Sequence, residues 1–224
     1  MSDAAARLPI VVLVSGTGSN LRAIAERARS GVLPVSIRAV ISDRAEAAGL
    51  AWAASAGIAT VALRPGDFPD RATYDRALAD RVAGFDPGLV VLAGFMRILG
   101  DEFVDRFAGR LVNIHPSLLP KYRGLHTHRR ALAAGDREHG ASVHFVTREL
   151  DGGPVVLQSR VPVRDDDDEA ALAARVLAEE HVIYPECIGW YASGRLALRD
   201  GTVFLDGQPL HAPLVRTAGG VAYA

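Results

Sequence analysis

A single cysteine, Cys187, stands among 224 residues, which excludes an internal disulfide framework and cysteine-rich zinc sites. The start, MSDAAARLPIVVLVSG, carries one arginine and an apolar run of only about six residues, short for a signal peptide and far short of a bilayer span. Neither sign of charge dominates: 25 Lys and Arg against 26 Asp and Glu give a formal net charge of -1, with no broad pull toward nucleic acid. Internal repeats and low-complexity linkers are missing too. What remains, 49% hydrophobic and 23% charged, is an ordinary globular composition. The expectation is one domain over 1–224 in a reducing, cytoplasmic setting. Residues 1–8 are expected to form a flexible extension and 211–224 a disordered tail.

Short Val- and Ile-rich runs alternate with helical patterns. The periodicity predicts a buried strand over 9–15 and a helix over 20–30, with Leu21, Ile24 and Ala28 on one face. A strand over 36–42 leads to an Ala-rich helix through Trp52, and a third strand over 58–63 to a helix over 71–83. Strands over 89–93 and 111–114 flank a short helix over 102–106. Apolar strands each followed by a helix describe a parallel sheet covered on both faces. Past Gly140 the pattern changes: runs over 142–146 and 155–163 can pair antiparallel across the turn at Asp151-Gly152-Gly153-Pro154. A long helix over 168–192 starts in the acidic run 165–169, which suits a cap at the positive end of the helix dipole. A closing hairpin spans 195–205, broken at Asp200-Gly201. The expected fold is α/β: a single-domain, Rossmann-like mixed sheet, mostly parallel, with a C-terminal antiparallel part.

Ser15-Gly16-Thr17-Gly18-Ser19-Asn20 joins the first strand to the first helix. Glycines let a backbone turn tightly there, and helix N–H groups offer an anion site, with Ser19 and Asn20 as caps or extra donors. The loop lacks the third glycine of the dinucleotide fingerprint, Leu21 standing in its place, and the lysine of a P-loop. A single-phosphate site and a mere tight turn both fit. Asp43, ending the second strand, can mimic the ribose-binding acid of a nicotinamide enzyme, which keeps a dehydrogenase in view.

In Leu111-Val112-Asn113-Ile114-His115-Pro116-Ser117, period-two alternation puts Asn113 and His115 on one face, and Pro116 stops the strand. An amide and an imidazole pointing together can polarise a carbonyl and move its proton. A structural pair satisfied by backbone is the plainer alternative. Asp151 is either a turn former beside glycines or a carboxylate partner for the imidazole. His126 and His128 lack the carboxylate or thiolate company of a metal site, and a structural or substrate-adjacent role suits them better. His144 alternates with Ser142 on a strand and can support the site from behind. Cys187 falls in the apolar pattern of the last helix and reads as core.

Together the segments VLVSGTGSNL, VVLAGFMRIL, LVNIHPSLLPKYRGLHTHRRAL, HGASVHFVTRELDGGPV and EEHVIYPE resemble the phosphoribosylglycinamide formyltransferase family, in the family's order, from about Ile10 to about Leu210. The resemblance implies transfer of a formyl group from 10-formyltetrahydrofolate, as co-substrate, to the amine of glycinamide ribonucleotide, without a metal. It implies Asn113, His115 and Asp151 as the catalytic trio, with Asn113 and a protonated His115 donating to the oxyanion. Gly18, Ser19 and Asn20 would hold the ribonucleotide phosphate, and Glu180 its sugar end. Met96, Arg97, Ile98 and Leu99 would line the folate pocket together with Asn113. Thr147, Arg148, Glu149, Leu150 and Asp151 would close over the pterin, and Arg71 would meet the charged tail of the folate. The implied partners are small molecules only, with no nucleic acid and no membrane, for a monomer or homodimer.

Related folate enzymes share the Asn-x-His-Pro-Ser core. Formyltetrahydrofolate deformylase carries an additional N-terminal domain and methionyl-tRNA formyltransferase a C-terminal one for tRNA. The short flanks here, with the SGTGSN loop and near-neutral charge, favour the ribonucleotide acceptor. Outside that family, a nicotinamide-dependent dehydrogenase and a non-catalytic nucleotide-binding module stay open.

Overall fold

The computed structural model describes residues 7–217 and 220–222, and the chain divides into two compact units, Met1–Val112 and Asn113–Ala224. The fold class is α/β.

In the first unit β1 (Leu8–Val14), β2 (Val35–Ser42), β3 (Thr60–Ala62) and β4 (Leu89–Leu92) lie in the order β3-β2-β1-β4, every neighbouring pair parallel. Ile10 to Val14 and Leu89 to Val91 are buried on both sides, which is why these runs read as continuously apolar rather than alternating. Between them run α1 (Ser19–Arg29), α2 (Ala48–Ser55) and α3 (Arg71–Ala83), and α4 (Asp101–Arg106) follows β4. Leu21, Ile24 and Ala28 form the buried face of α1, as their spacing predicts. Asp70 caps α3, its carboxylate accepting from the Thr73 N–H at 2.7 Å. The third strand is shorter than expected, three residues at the sheet's edge with little burial.

β5 (Leu111–His115) crosses from the first unit into the second. The second unit continues with α5 (Thr127–Ala133), β6 (Glu138–Phe145), β7 (Val155–Pro162), α6 (Glu169–Ala192), β8 (Leu196–Arg199), β9 (Thr202–Leu205), β10 (Gln208–Pro209), β11 (Leu214–Thr217) and β12 (Gly220–Ala222). Its larger sheet has the order β5-β6-β7-β11-β12, and β8, β9 and β10 form a small antiparallel sheet. β6 and β7 pair antiparallel from Glu138↔Pro162 to His144↔Val155. The pairing starts four residues before the expected Ser142, and Gly140 permits it: a Cβ there would lie 1.9 Å from the Ser159 carbonyl oxygen. Asp168 caps α6 through the Ala171 N–H at 2.7 Å, and Arg175 holds the acidic run with two 2.7 Å bonds to Asp167. Cys187 is core; burial pushes its thiol well above the ordinary value.

Both expected termini need correction. Leu8, placed in a flexible extension, is the first residue of β1; residues 1–6 lie outside the described residues. Leu214 to Thr217, placed in a disordered tail, form β11, parallel to β7 with Leu214 opposite Leu157. Residues 218–219 and 223–224 of that tail lie outside the described residues. α5 had no counterpart in the sequence reading.

Candidate active site

β5 ends in the second unit with Asn113 and His115, and the polar groups around them form two linked pairs. Asn113 Nδ2 lies 3.1 Å from His144 Nε2, and His144 Nδ1 lies 2.9 Å from the Phe145 carbonyl oxygen. A carbonyl can only accept, so Nδ1 carries the proton. Burial, with the side chain 2% exposed, pushes the His144 imidazole down to about 4, so the ring is neutral and Nε2 keeps a lone pair. The amide of Asn113 is therefore the donor. One of its two N–H bonds is spent on His144 and the other is not.

The second pair is His115 and Asp151. His115 Nε2 donates to the Tyr122 carbonyl at 2.9 Å, and Nδ1 faces Asp151 Oδ2 at 3.4 Å. Both side chains are less than a tenth exposed. Asp151 Oδ2 also accepts from the Gly124 N–H at 2.8 Å, while Oδ1 stands 3.8 Å from His144 Nε2. Asp151 adopts φ +47°, a left-handed conformation that Asp tolerates better than most residues but which the surroundings must hold. Gly153 helps: its α-carbon lies so near the Phe145 carbonyl that a Cβ would sit 1.9 Å from the oxygen. Amide, imidazole and carboxylate, far apart in sequence, thus meet with His144 between the two pairs.

The segment that follows His115 is fixed by buried polar contacts. Ser142 Oγ donates to the Ser117 carbonyl at 2.6 Å and accepts from the Leu119 N–H at 3.0 Å, and Gln158 reaches the Leu119 carbonyl at 2.8 Å. Lys121 and Tyr122 both bind Asp136, whose carboxyl they hold below its usual range. Arg130 stacks over the Tyr122 ring at 5.1 Å. These contacts set the Tyr122 carbonyl and the Gly124 N–H, the backbone partners of His115 and Asp151. Sequence reasoning missed both, because neither is a side chain. His128 and His139 pair ring to ring at 3.2 Å, and burial holds His139 down to about 4. His126 begins α5 at φ +60°. Among the described residues no three or more His, Cys, Asp and Glu side chains group as metal ligands. Thr147 is half-buried and Arg148, Glu149 and Leu150 are exposed in the β6–β7 loop, with Glu149 paired to Arg123. Glu180 is buried in α6.

In the first unit the carboxyl ends of β1, β2 and β4 carry the glycine loop, Asp43 and residues 93–100. Gly18 caps α1 at φ +73° with no side-chain cap bond, so Ser19 and Asn20 are the first helical residues rather than caps. The loop presses on α2: a Cβ on Gly18 would come within 2.6 Å of the Gly49 α-carbon, and the Gly49 N–H donates to the Gly16 carbonyl at 2.9 Å. The first-turn amides of α1 have no intrahelical acceptor and suit an anion. Asp43 is buried, its Oδ1 accepts from the Ser15 hydroxyl at 2.6 Å, and Ser15 Oγ accepts from the Met96 N–H at 2.9 Å. One oxygen of that carboxylate is thus bonded within the protein. Met96 and Ile98 are 60% and 57% exposed, while Leu99 is buried. Arg71 Nη2 donates to the Ile98 carbonyl at 2.9 Å and Nε faces Asp75 at 3.4 Å.

The sequence pattern of the family described as "Formyl transferase" matches residues 8–188. The chain is 56% identical to the phosphoribosylglycinamide formyltransferase of Escherichia coli over 90% of this chain and 95% of that one. It is 46% identical to the enzyme of that name from Haemophilus influenzae, with the same coverage. Among solved structures, phosphoribosylglycinamide formyltransferase from Coxiella burnetii superposes with a TM-score of 0.88 at 52% identity, over 91% of this chain and 96% of that one. The chain belongs to the formyl transferase family.

Proposed function

We propose that this chain carries the formyl group of 10-formyltetrahydrofolate to the amine of glycinamide ribonucleotide, a step of purine biosynthesis. The observation that carries this reading is the 3.4 Å approach of Asp151 to His115 beside the Asn113–His144 pair, in a chain of this family.

The amine nitrogen attacks the formyl carbon, and the carbonyl π pair moves to oxygen, giving a tetrahedral intermediate. The Asn113 N–H that His144 does not use is the donor for this oxyanion, and one well-placed donor contributes on the order of 3 kcal/mol. The attacking nitrogen loses its proton to Asp151, directly or through water. Collapse returns the oxyanion pair to the carbonyl and breaks the bond from the formyl carbon to the folate nitrogen, which takes up the proton Asp151 received and leaves as tetrahydrofolate. No covalent enzyme intermediate is needed. His115 Nε2–H is given to the Tyr122 carbonyl here, so donating to the oxyanion requires the ring to exchange that carbonyl for substrate. With a proton on Nδ1 as well, the ring faces Asp151 as its counter-charge.

Gly18, Ser19 and Asn20 hold the phosphate at the start of α1, and Glu180 takes the sugar end. Met96 to Leu99 line the folate pocket, with Met96 and Ile98 presenting apolar surface to the rings. Thr147 to Asp151 cover the pterin. Arg71 has guanidinium N–H groups beyond its contacts to Ile98 and Asp75, and these meet the folate's charged tail. The reaction needs no metal, and the chain works in the cytoplasm as a monomer or homodimer.

The test is an activity screen of 10-formyltetrahydrofolate against glycinamide ribonucleotide, initiator methionyl-tRNA and water, with EDTA present, following absorbance as the folate product forms. Turnover only with the ribonucleotide supports the proposal. Faster turnover with tRNA or with water alone overturns the acceptor, and loss on chelation overturns the metal-free mechanism.

A further inference from the structure

Residues 93–100, between β4 and α4, belong to no helix or strand, yet they present Met96 and Ile98 to solvent. An irregular segment keeps one shape only if its neighbours fix it. Ser15 fixes one end through the Met96 N–H. The other anchors come from the first turns of α3. Arg71 holds the Ile98 carbonyl. Asp75 packs so close to Gly100 that a Cβ there would meet its Oδ2 at 2.6 Å. Between them the Arg97 guanidinium lies over the Tyr74 ring, 4.9 Å from its centroid.

Tyr74 is 1% exposed, and its ring meets Phe68 edge-on at 5.5 Å, so the ring under Arg97 is packed on the side of the protein. Its hydroxyl has no hydrogen-bond partner among the described residues, nor has Arg97 Nε. The ring face, not the hydroxyl, is what Tyr74 offers, and the guanidinium is held by the ring rather than by an Nε bond.

We infer that Tyr74 is a positioning residue for the folate: by seating Arg97 on its ring it sets the backbone between Met96 and Ile98, and so the spacing of the two apolar side chains that grip the cofactor's rings. This rests on the reading of 96–99 as the folate wall. Arg97 then acts inward, through the wall's shape, rather than as a cation offered to the ligand.

The experiment measures KM for both substrates and kcat in five variants. Tyr74→Leu removes the ring face and should raise the folate KM about fivefold, the scale of losing one partly buried cation–ring contact, with the ribonucleotide KM and kcat within about twofold. Tyr74→Phe keeps the face and should restore the folate KM to within about twofold of the parent. Arg97→Gln should match Tyr74→Leu, and the double variant should be no worse than either single one, because both remove the same contact. If Tyr74→Leu does not fold, Arg97→Gln decides. An unchanged folate KM in Arg97→Gln, additive effects, or an equal rise in both KM values overturns the inference. Ile98→Ala separates the two levels: an unchanged folate KM there overturns the wall itself, whereas a raised one beside a normal Arg97→Gln overturns only the role of Tyr74.

Discussion

The Asn113 amide and the His144 imidazole form a donor–acceptor pair whose sense is fixed from behind. The Phe145 carbonyl takes the only proton of a ring that burial keeps neutral, so the ring nitrogen facing Asn113 must accept. The amide cannot rotate to present its oxygen without placing lone pair against lone pair.

Replacing that acceptor should therefore harm the chemistry more than the binding. His144→Phe fills the volume but leaves Asn113 unoriented, and kcat should fall roughly tenfold or more while both KM values stay near the parent's. Steady-state kinetics decide this. A kcat within about twofold would show that the amide orients itself.

Asp151→Asn tests the carboxylate without disturbing its backbone, because Asn tolerates the left-handed region as Asp does. Its side-chain oxygen can still accept from the Gly124 N–H. The rate should drop by about a hundredfold or more, with ribonucleotide affinity measured by calorimetry largely intact. A near-normal rate removes Asp151 from the mechanism.

Stability should respond to acid through the same histidine. His144 titrates near 4 in the folded chain against 6.5 in the unfolded one, so between those values only the unfolded chain binds the proton. Stability is fully present above pH 6.5 and falls as pH drops toward 4, by about 1.4 kcal/mol per pH unit for each such group. His139, also held down to about 4 by burial, adds a second contribution of the same sign. Melting temperature followed from pH 7 to pH 4.5 should fall less steeply in His144→Phe than in the parent. Equal slopes would mean that His144 does not contribute.

Gly18→Ala combines two penalties, a left-handed φ of +73° and a Cβ within 2.6 Å of the Gly49 α-carbon. Destabilisation of about 1–3 kcal/mol is expected, with the ribonucleotide KM raised well above any change in the folate KM. Thermal melting and the two KM values check both parts. A selective rise in the folate KM instead would misplace the phosphate.

Much of this architecture is legible in local pattern. The Val-Ile runs mark buried parallel strands, and the expected helix over 71–83 coincides with α3. Asn113 and His115 share a face by simple alternation. What escapes is what local pattern cannot encode. α5 is seven residues of THRRALA, too short for a periodic signal. β11 owes its place to β7, more than fifty residues earlier, and a run of four residues is too short to read as a strand by its own pattern. The partners of His115 and Asp151 at Tyr122 and Gly124 are peptide groups, which any residue supplies. Arg71 enters only through the family resemblance, as a contact for the folate's charged tail, and its hold on the Ile98 carbonyl is visible only in three dimensions.

The late arrival of Leu214 to Thr217 alongside Leu157 to Ser159 has a consequence for biosynthesis. During translation β7 and its antiparallel partner can form as soon as the hairpin emerges, but one flank of β7 stays bare until β11 follows. A nascent chain stalled in that interval exposes an unpaired strand edge to its neighbours on the same message. A pause after β7 has emerged and before β11 has done so therefore leaves one strand edge open to such pairing.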